Sequence, residues 1–356
     1  MRFLAFLGFS IRKVSLFLFL VFLLAVRPLA AEEPDLPLTR ILREEGIKTY
    51  KVAIHLQDKD WLIQEFGPGD PYPINLTLAT KNVVWQAREQ IRKGELAPVQ
   101  GIIRTFWYTN VKPVFARTGS LKEDVEQSDI LHEVLVKLVR ERDIMRYKNM
   151  GFLNNNDGTV KIGKNWHVML IGEKHGKYSV LEKIAYELKA TVFTLGGQPS
   201  LLSMEYLVDD YKTKGTDIRK SLYLIFVVDY DPAGWIIRDS VVTDLKFYGM
   251  TNIKAIDVIL PDILTKKELE LAQFPLPKNR KSLNDEWIKK SGGINGKPFG
   301  FESDSVPFEK LRNKIIEIAT PYVGNPEIIR RANAAEELAA AIDYLVQTRL
   351  SLGNER

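Results

Sequence analysis

The chain has no cysteine in 356 residues. That absence excludes disulfides, zinc–thiolate centres and thiol nucleophiles together, and it leaves the redox compartment open. No internal repeat is visible. No glycine-rich loop ends in the Lys-Ser/Thr pair that a P-loop needs. Net charge is scarce as well. The formal value is +5, but the first 31 residues hold four basic side chains (Arg2, Arg12, Lys13, Arg27) and no acidic one. The remainder carries 46 basic and 45 acidic residues, a balance of +1. The basic pI is therefore mostly a property of the leader, and any nucleic-acid surface has to come from local clustering.

What is present begins with that leader. Arg2, Arg12 and Lys13 precede an apolar run from Val14 to Val26, followed by Pro28-Leu29-Ala30-Ala31 and then acidic residues. This is the layout of a secretory signal. The run is shorter than the roughly 20 residues of a membrane span. An uncleaved anchor and a mis-assigned start codon are the other readings, and no Met lies between Met1 and Met145.

Beyond it, Lys51–Leu56 has the composition of a strand and the stretch from Gly67 to Pro73 that of a loop. His55 and Trp61 are read as packing residues. Thr80 to Leu96 suits an amphipathic helix. Ile103, Phe106, Trp107 and Val111 fit a short buried one, with Pro113 near its end. Ser120-Leu121-Lys122-Glu123 matches a capping box, whose helix continues or restarts at Ser128. Ile130, Leu131, Val134, Leu135, Leu138 and Val139 form a stripe of period 3.6, opposite Lys137, Arg140 and Arg142. Arg146–Phe152 and Thr159–Ile162 flank an Asp157-Gly158 turn, a hairpin signal. Helices followed by a hairpin suggest a winged-helix unit; a helical bundle with an added hairpin is the alternative.

The centre of the chain carries three unbroken apolar runs: His167–Ile171, Thr191–Leu195 and Leu222–Val228. Such runs suit a parallel sheet covered on both faces. Tyr178–Lys189 is expected as the helix between the first two, and Ile253–Leu260 as a fourth strand. The first run leads into Gly172-Glu173-Lys174, the second into Gly196-Gly197, the third into Asp229-Tyr230-Asp231-Pro232-Ala233-Gly234. Alternation puts Asp229 and Asp231 on one side of the strand and Tyr230 on the other. Sites in open α/β sheets lie beyond the carboxyl ends of the strands, so Glu173, Asp229 and Asp231 are expected to meet there. Carboxylates brought together repel unless a cation joins them, and an all-oxygen set suits Mg²⁺. Residues 273–300 read as an excursion loop, Phe308–Ala319 and Ala332–Leu350 as helices, and Ser351–Arg356 as a frayed tail.

Taken in order, these pieces resemble the catalytic subunit of DNA topoisomerase VI and the related meiotic double-strand-break protein. The segments that carry the resemblance are Arg104-Thr105-Phe106-Trp107-Tyr108, Gly158 to Gly163, Glu173-Lys174, Gly196-Gly197-Gln198-Pro199, Asp229 to Gly234 and Phe301-Glu302-Ser303-Asp304-Ser305-Val306-Pro307. The match runs from about Thr80 to Ala319. Trp107 departs from the usual Tyr or Phe, and a leader is unexpected in an intracellular family. The resemblance implies a mixed α/β chain in which a winged-helix (CAP-like) domain is followed by a Toprim Rossmann-like parallel-sheet domain. The expected divisions are 1–31 leader, 32–79 N-terminal segment, 80–160 winged helix, 161–320 Toprim and 321–356 C-terminal helix.

It further implies that Tyr108 attacks a phosphodiester of double-stranded DNA, with Arg104 one helical turn away to support the phenolate. A tyrosine hydroxyl ordinarily titrates near pKa ~10, so roughly one part in a thousand is ionised at neutral pH. Glu173, Asp229 and Asp231 would hold Mg²⁺. Glu302 and Asp304 are read as either supporting that set or simply solvated, and His175 as a surface residue. Two strands need two tyrosines, hence a homodimer. In the two-subunit enzyme a GHKL-type ATPase subunit completes the assembly, and nothing in this chain resembles it. Three rival readings remain: a Toprim-type nuclease using metal-bound water, a phosphatase with Asp229 as nucleophile, and an inactive DNA-binding homologue. Ala233 stands where the phosphatase pattern wants Thr or Val.

Overall fold

The computed structural model describes residues 54–122, 126–154, 160–197 and 200–353. The leader, and the expectations placed on residues 155–159 and on Gln198-Pro199, lie outside the described residues. The chain is mixed α/β, mostly helical, with a five-stranded sheet in which parallel pairing dominates. It divides into two units: residues up to Val99 with Ile103–Met150, and Gln100–Ile102 with Gly151 onward. Among the described residues no helix is long and apolar enough to cross a membrane.

The first unit is helical. Helix α1 (Lys59–Phe66) is capped by Asp58, whose side chain accepts from the Trp61 N–H. Helix α2 (Leu76–Arg92) starts four residues earlier than the apolar pattern suggests, because Asn75 supplies the cap. Helix α3 (Ile103–Phe106) runs through a π-type turn (Trp107–Val111) into α4 (Lys112–Arg117). In that turn Lys112 donates back to the Trp107 carbonyl, and Pro113 has no N–H to give to Thr109; a second π-type turn, Lys137–Glu141, forms without a proline. The side chains of Ile103, Phe106, Trp107 and Val111 are buried as expected.

Helix α5 (Ser128–Val136) begins at Ser128 and not at Ser120. Ser120 is buried, with its hydroxyl 2.8 Å from that of Thr118, and Leu121 and Lys122 are not helical; the Glu123 half of the expected capping box lies outside the described residues. Lys51–Leu56 is likewise corrected where it is described, since Ile54–Leu56 is a 3₁₀ turn. The hairpin is also corrected. Tyr147–Met150 is a short helix, α6, because Tyr147 and Met150 are both drawn into the core. Val160–Lys161, strand β1, pairs with the central sheet and not with its supposed partner arm.

The second unit is built on the sheet order β1-β3-β2-β4-β5. Its members are β2 (Asn165–Gly172), β3 (Ala190–Thr194), β4 (Leu222–Val227) and β5 (Ile253–Asp257); all pair in parallel except β1. The apolar runs are continuous because both faces are covered. Val168 and Leu170 pack beneath α7 (Tyr178–Leu188), with Ile225 and Val227. Met169 and Ile171 pack with Leu224 and Phe226 beneath α8 (Leu201–Thr213) and α9 (Pro232–Phe247). The β2–β3 crossover through α7 thus takes one face and the next two, through α8 and α9, take the other, and the strand order reverses at β2.

Residues 273–300 are corrected from loop to ordered structure. A short helix α10 (Lys266–Ala272) leads into β6 (Phe274–Pro275), which pairs with β7 (Phe299–Gly300) around α11 (Lys281–Ser291). Trp287 anchors this excursion: it is 3% exposed and its ring lies 5.0 Å from that of Tyr230. Helices α12 (Phe308–Val323) and α13 (Pro326–Gly353) follow. Lys164 and Lys189 grip Glu336 at 2.8 Å each, fastening the start of α13 to the sheet unit.

Tyr211 on α8 bridges the amino ends of the neighbouring strands β2 and β3. It is fully buried, donates to the Trp166 carbonyl at 2.9 Å and lies 3.0 Å from the Thr191 hydroxyl. Tyr211→Phe removes the donor to the Trp166 carbonyl, while the Thr191 hydroxyl keeps the Gly163 N–H, and is expected to lower unfolding free energy by about 1–3 kcal/mol with an unchanged m-value in urea.

Candidate active site

Each unit carries one cluster of chemistry-bearing side chains. In the helical unit it is centred on Tyr108. The π-type turn keeps Trp107 and Val111 in the core while Tyr108 emerges, 46% exposed. Arg104 donates from Nη2 to the Tyr108 hydroxyl at 3.3 Å, as the spacing led one to expect. That hydrogen bond is the main reason the guanidinium holds its proton more tightly than usual. Lys112 completes the face, with Nζ 4.9 Å from the Tyr108 ring centre. Glu126 lies nearby. Its carboxyl is held below the ordinary range, first by the Ser128 hydroxyl and then by the charges of Arg104 and Lys112. Lys112 was legible in the spacing 104, 108, 112; Glu126 was not.

In the sheet unit the cluster sits at the carboxyl ends of the strands. Gly172, Thr194 and Val227 are in register across β3, β2 and β4. Glu173, Gly196-Gly197 and Asp229 therefore leave from one edge. Both glycines have φ in the left-handed region, +67° and +107°, and Gly197 donates to the Glu173 carbonyl at 2.8 Å. Asp229 donates its backbone N–H to Glu173 Oε2 at 3.1 Å. Its own Oδ1 accepts from the Ser303 N–H at 2.8 Å. Asp231 caps α9, accepting from the Gly234 N–H at 2.7 Å. Gly234 is required there, since a Cβ would lie 2.2 Å from the Asp229 carbonyl oxygen. Tyr230 points the other way, as alternation demands. It is buried, and its hydroxyl donates to the Ser291 and Gly293 carbonyls.

The three acids feel one another. Burial raises the proton affinity of Glu173, and the charges of Asp229 and Asp231 raise it further against the opposing Asp229 N–H. Burial likewise raises that of Asp231, with Asp229 adding to it. Among the described residues two lysines serve the edge. Lys174 Nζ lies 3.2 Å from Asp229 Oδ2, 3.2 Å from Glu302 and 3.3 Å from Asp304. Burial opposes its charge, but Asp229 and the two late acids outweigh it and the ammonium is stabilised. Lys177 binds Asp304 at 2.6 Å and holds that carboxyl below its ordinary value. Glu302 and Asp304 are thus tied to this edge through lysines, a link no sequence pattern announces. His175 is exposed, beside Gly196.

Among the described residues no group of three or more His, Asp or Glu side chains is arranged to hold a metal ion. The donor set still suits a hard cation in kind, being all oxygen and mutually repelling. A separate cavity of about 240 Å³ lies between β1, α7 and α13. Its lysines are already paired, Lys161 with Glu182 and Lys189 with Glu336, so it adds nothing to the acidic edge.

No protein-family model matches this chain, and no curated protein matches it.

The raised proton affinity of Glu173 has a defined sign. The folded state binds that proton more tightly than the unfolded chain does. Glu173 therefore takes stability away as pH rises from the ordinary carboxylate range through its raised value, and the loss is complete above it. Glu173→Gln is expected to melt higher than wild type at pH ~7 in a chelating buffer, with the difference vanishing toward pH ~4. Thermal melts across that range check it.

Proposed function

We propose that this chain is the catalytic subunit of a type IIB-like DNA topoisomerase, with a helical DNA-binding domain carrying Tyr108 and a Toprim domain carrying the acidic edge. The observation that carries the reading is the meeting of Glu173 and Asp229 at the ends of neighbouring parallel strands, with Asp231 heading the next helix. That is where open α/β sheets bind ligands, beside the strand at which their order reverses. The exposed hydroxyl of Tyr108, bonded to Arg104 and flanked by Lys112, supports the other half.

In the proposed reaction the Tyr108 oxygen forms a bond to a backbone phosphorus as the bond to the 3′ oxygen breaks. The phenol gives up its proton, and the departing 3′ oxygen takes one. The product is a 5′-phosphotyrosyl link and a free 3′ hydroxyl. Arg104 stabilises the attacking oxygen as it becomes anionic, and Lys112 adds positive charge beside the phosphate. Glu173, Asp229 and Asp231 would hold Mg²⁺, which when bound supplies charge against the phosphate oxygens. A break in both strands takes two copies of Tyr108, so the working form is a homodimer on double-stranded DNA. An ATPase subunit of the GHKL type is a partner to be tested by co-purification.

The full chain, incubated with Mg²⁺ and supercoiled plasmid and quenched with denaturant, is expected to leave protein on 5′ ends. Tyr108→Phe should abolish that adduct while leaving the fold intact, and Arg104→Ala should reduce its rate by about 10²-fold or more. Adduct persisting in Tyr108→Phe sinks the assignment of the nucleophile. Metal-dependent cutting with no protein attached would make the chain a nuclease instead.

A further inference from the structure

We propose that Lys174 is a tethered counter-cation of the acidic edge, holding the Asp229 oxygen that a divalent cation needs, so that metal binding requires its ammonium to swing away. This rests on reading Glu173, Asp229 and Asp231 as the metal-binding set.

The argument is one of oxygen accounting. Asp229 Oδ1 is committed to the Ser303 backbone N–H at 2.8 Å, a bond that holds the late acidic segment in place. Oδ2 is the oxygen left for a ligand, and Lys174 Nζ sits on it at 3.2 Å. Glu173 and Asp231 also each spend a carboxylate oxygen on a backbone N–H, from Asp229 and Gly234. The three acids thus hold their own loops through backbone bonds, and those bonds survive when the lysine leaves.

Lys174 is suited to leaving. Its side chain is 37% exposed, on a flexible four-carbon stem. Its three donors meet three carboxylates, those of Asp229, Glu302 and Asp304. The late segment does not depend on it, because Lys177 holds Asp304 at 2.6 Å from a side chain only 10% exposed. Two cations repel at a shared oxygen, so the ammonium and a divalent ion compete for Oδ2. Lys174 is a positioning residue in this scheme: it offsets the charge of the empty edge and sets how much free Mg²⁺ is needed to fill it.

The test needs no DNA. Isothermal titration of the full chain with Mg²⁺ compares wild type, Lys174→Met and Lys174→Arg. The expected result is on the order of tenfold tighter binding in Lys174→Met, and near wild-type affinity in Lys174→Arg. A second measurement uses unaltered protein: acylation of Lys174, followed by mass spectrometry, should become several-fold faster at saturating Mg²⁺. Equal or weaker Mg²⁺ binding in Lys174→Met overturns the proposal. So does an acylation rate indifferent to Mg²⁺, or the absence of Mg²⁺ binding to every form. Loss of the Tyr108 adduct on DNA would instead count against the strand-breakage reading alone.

Discussion

The sheet unit depends on how Asp229 is held. Its backbone N–H goes to Glu173, its carbonyl takes the Asp231 N–H, and its side chain takes the Ser303 N–H. Three segments distant in sequence are joined at one residue. The next residue secures the joint from the other side. Tyr230 exchanges backbone hydrogen bonds with Phe301 in both directions, and its hydroxyl is anchored on the carbonyls that end α11. With Tyr230 fixed inward, its neighbours have no choice but to face outward. The crowding of acids at this edge is thus imposed by buried backbone bonds and an aromatic anchor, and its electrostatic cost is partly offset by Lys174.

The helical unit solves the opposite problem, exposing one aromatic ring from a segment whose neighbours are core residues. Pro113, which has no N–H to give, follows the i→i−5 turn, and Tyr108 is presented outward beside Arg104 and Lys112. π-type turns are uncommon and tend to occur at functional positions. Both clusters are therefore rooted in backbone geometry, one at a π-type turn and the other through donors satisfied by carboxylates. One is cationic around a hydroxyl and the other anionic with oxygen donors, the two charge environments that the proposed phosphoryl transfer requires.

Much of this was readable along the chain. The three central strands fall within two residues of the apolar runs at each end, since a run buried on both faces has to be apolar throughout. The pairing of Arg104 with Tyr108 followed from helical spacing. The errors came where a residue's partner is remote. Asp157-Gly158 looks like a hairpin turn, yet Val160 pairs with Phe193 in β3. Ser120 looks like a cap, yet its hydroxyl is turned to Thr118 in the interior. The stretch 273–300 has loop composition, yet Trp287 supplies enough buried surface against Tyr230 to order it.

By itself the sequence determined which strands are buried on both faces, which residues leave from their carboxyl ends, and that Asp229 and Asp231 face away from Tyr230. Those properties follow from period and order along one chain. Only the tertiary structure decided that Ser303 reaches Asp229, that Lys174 reaches Asp304 from 130 positions away, and that β1 joins the sheet edge. Such contacts are set by where packed elements bring remote backbone together, and no local pattern encodes that distance.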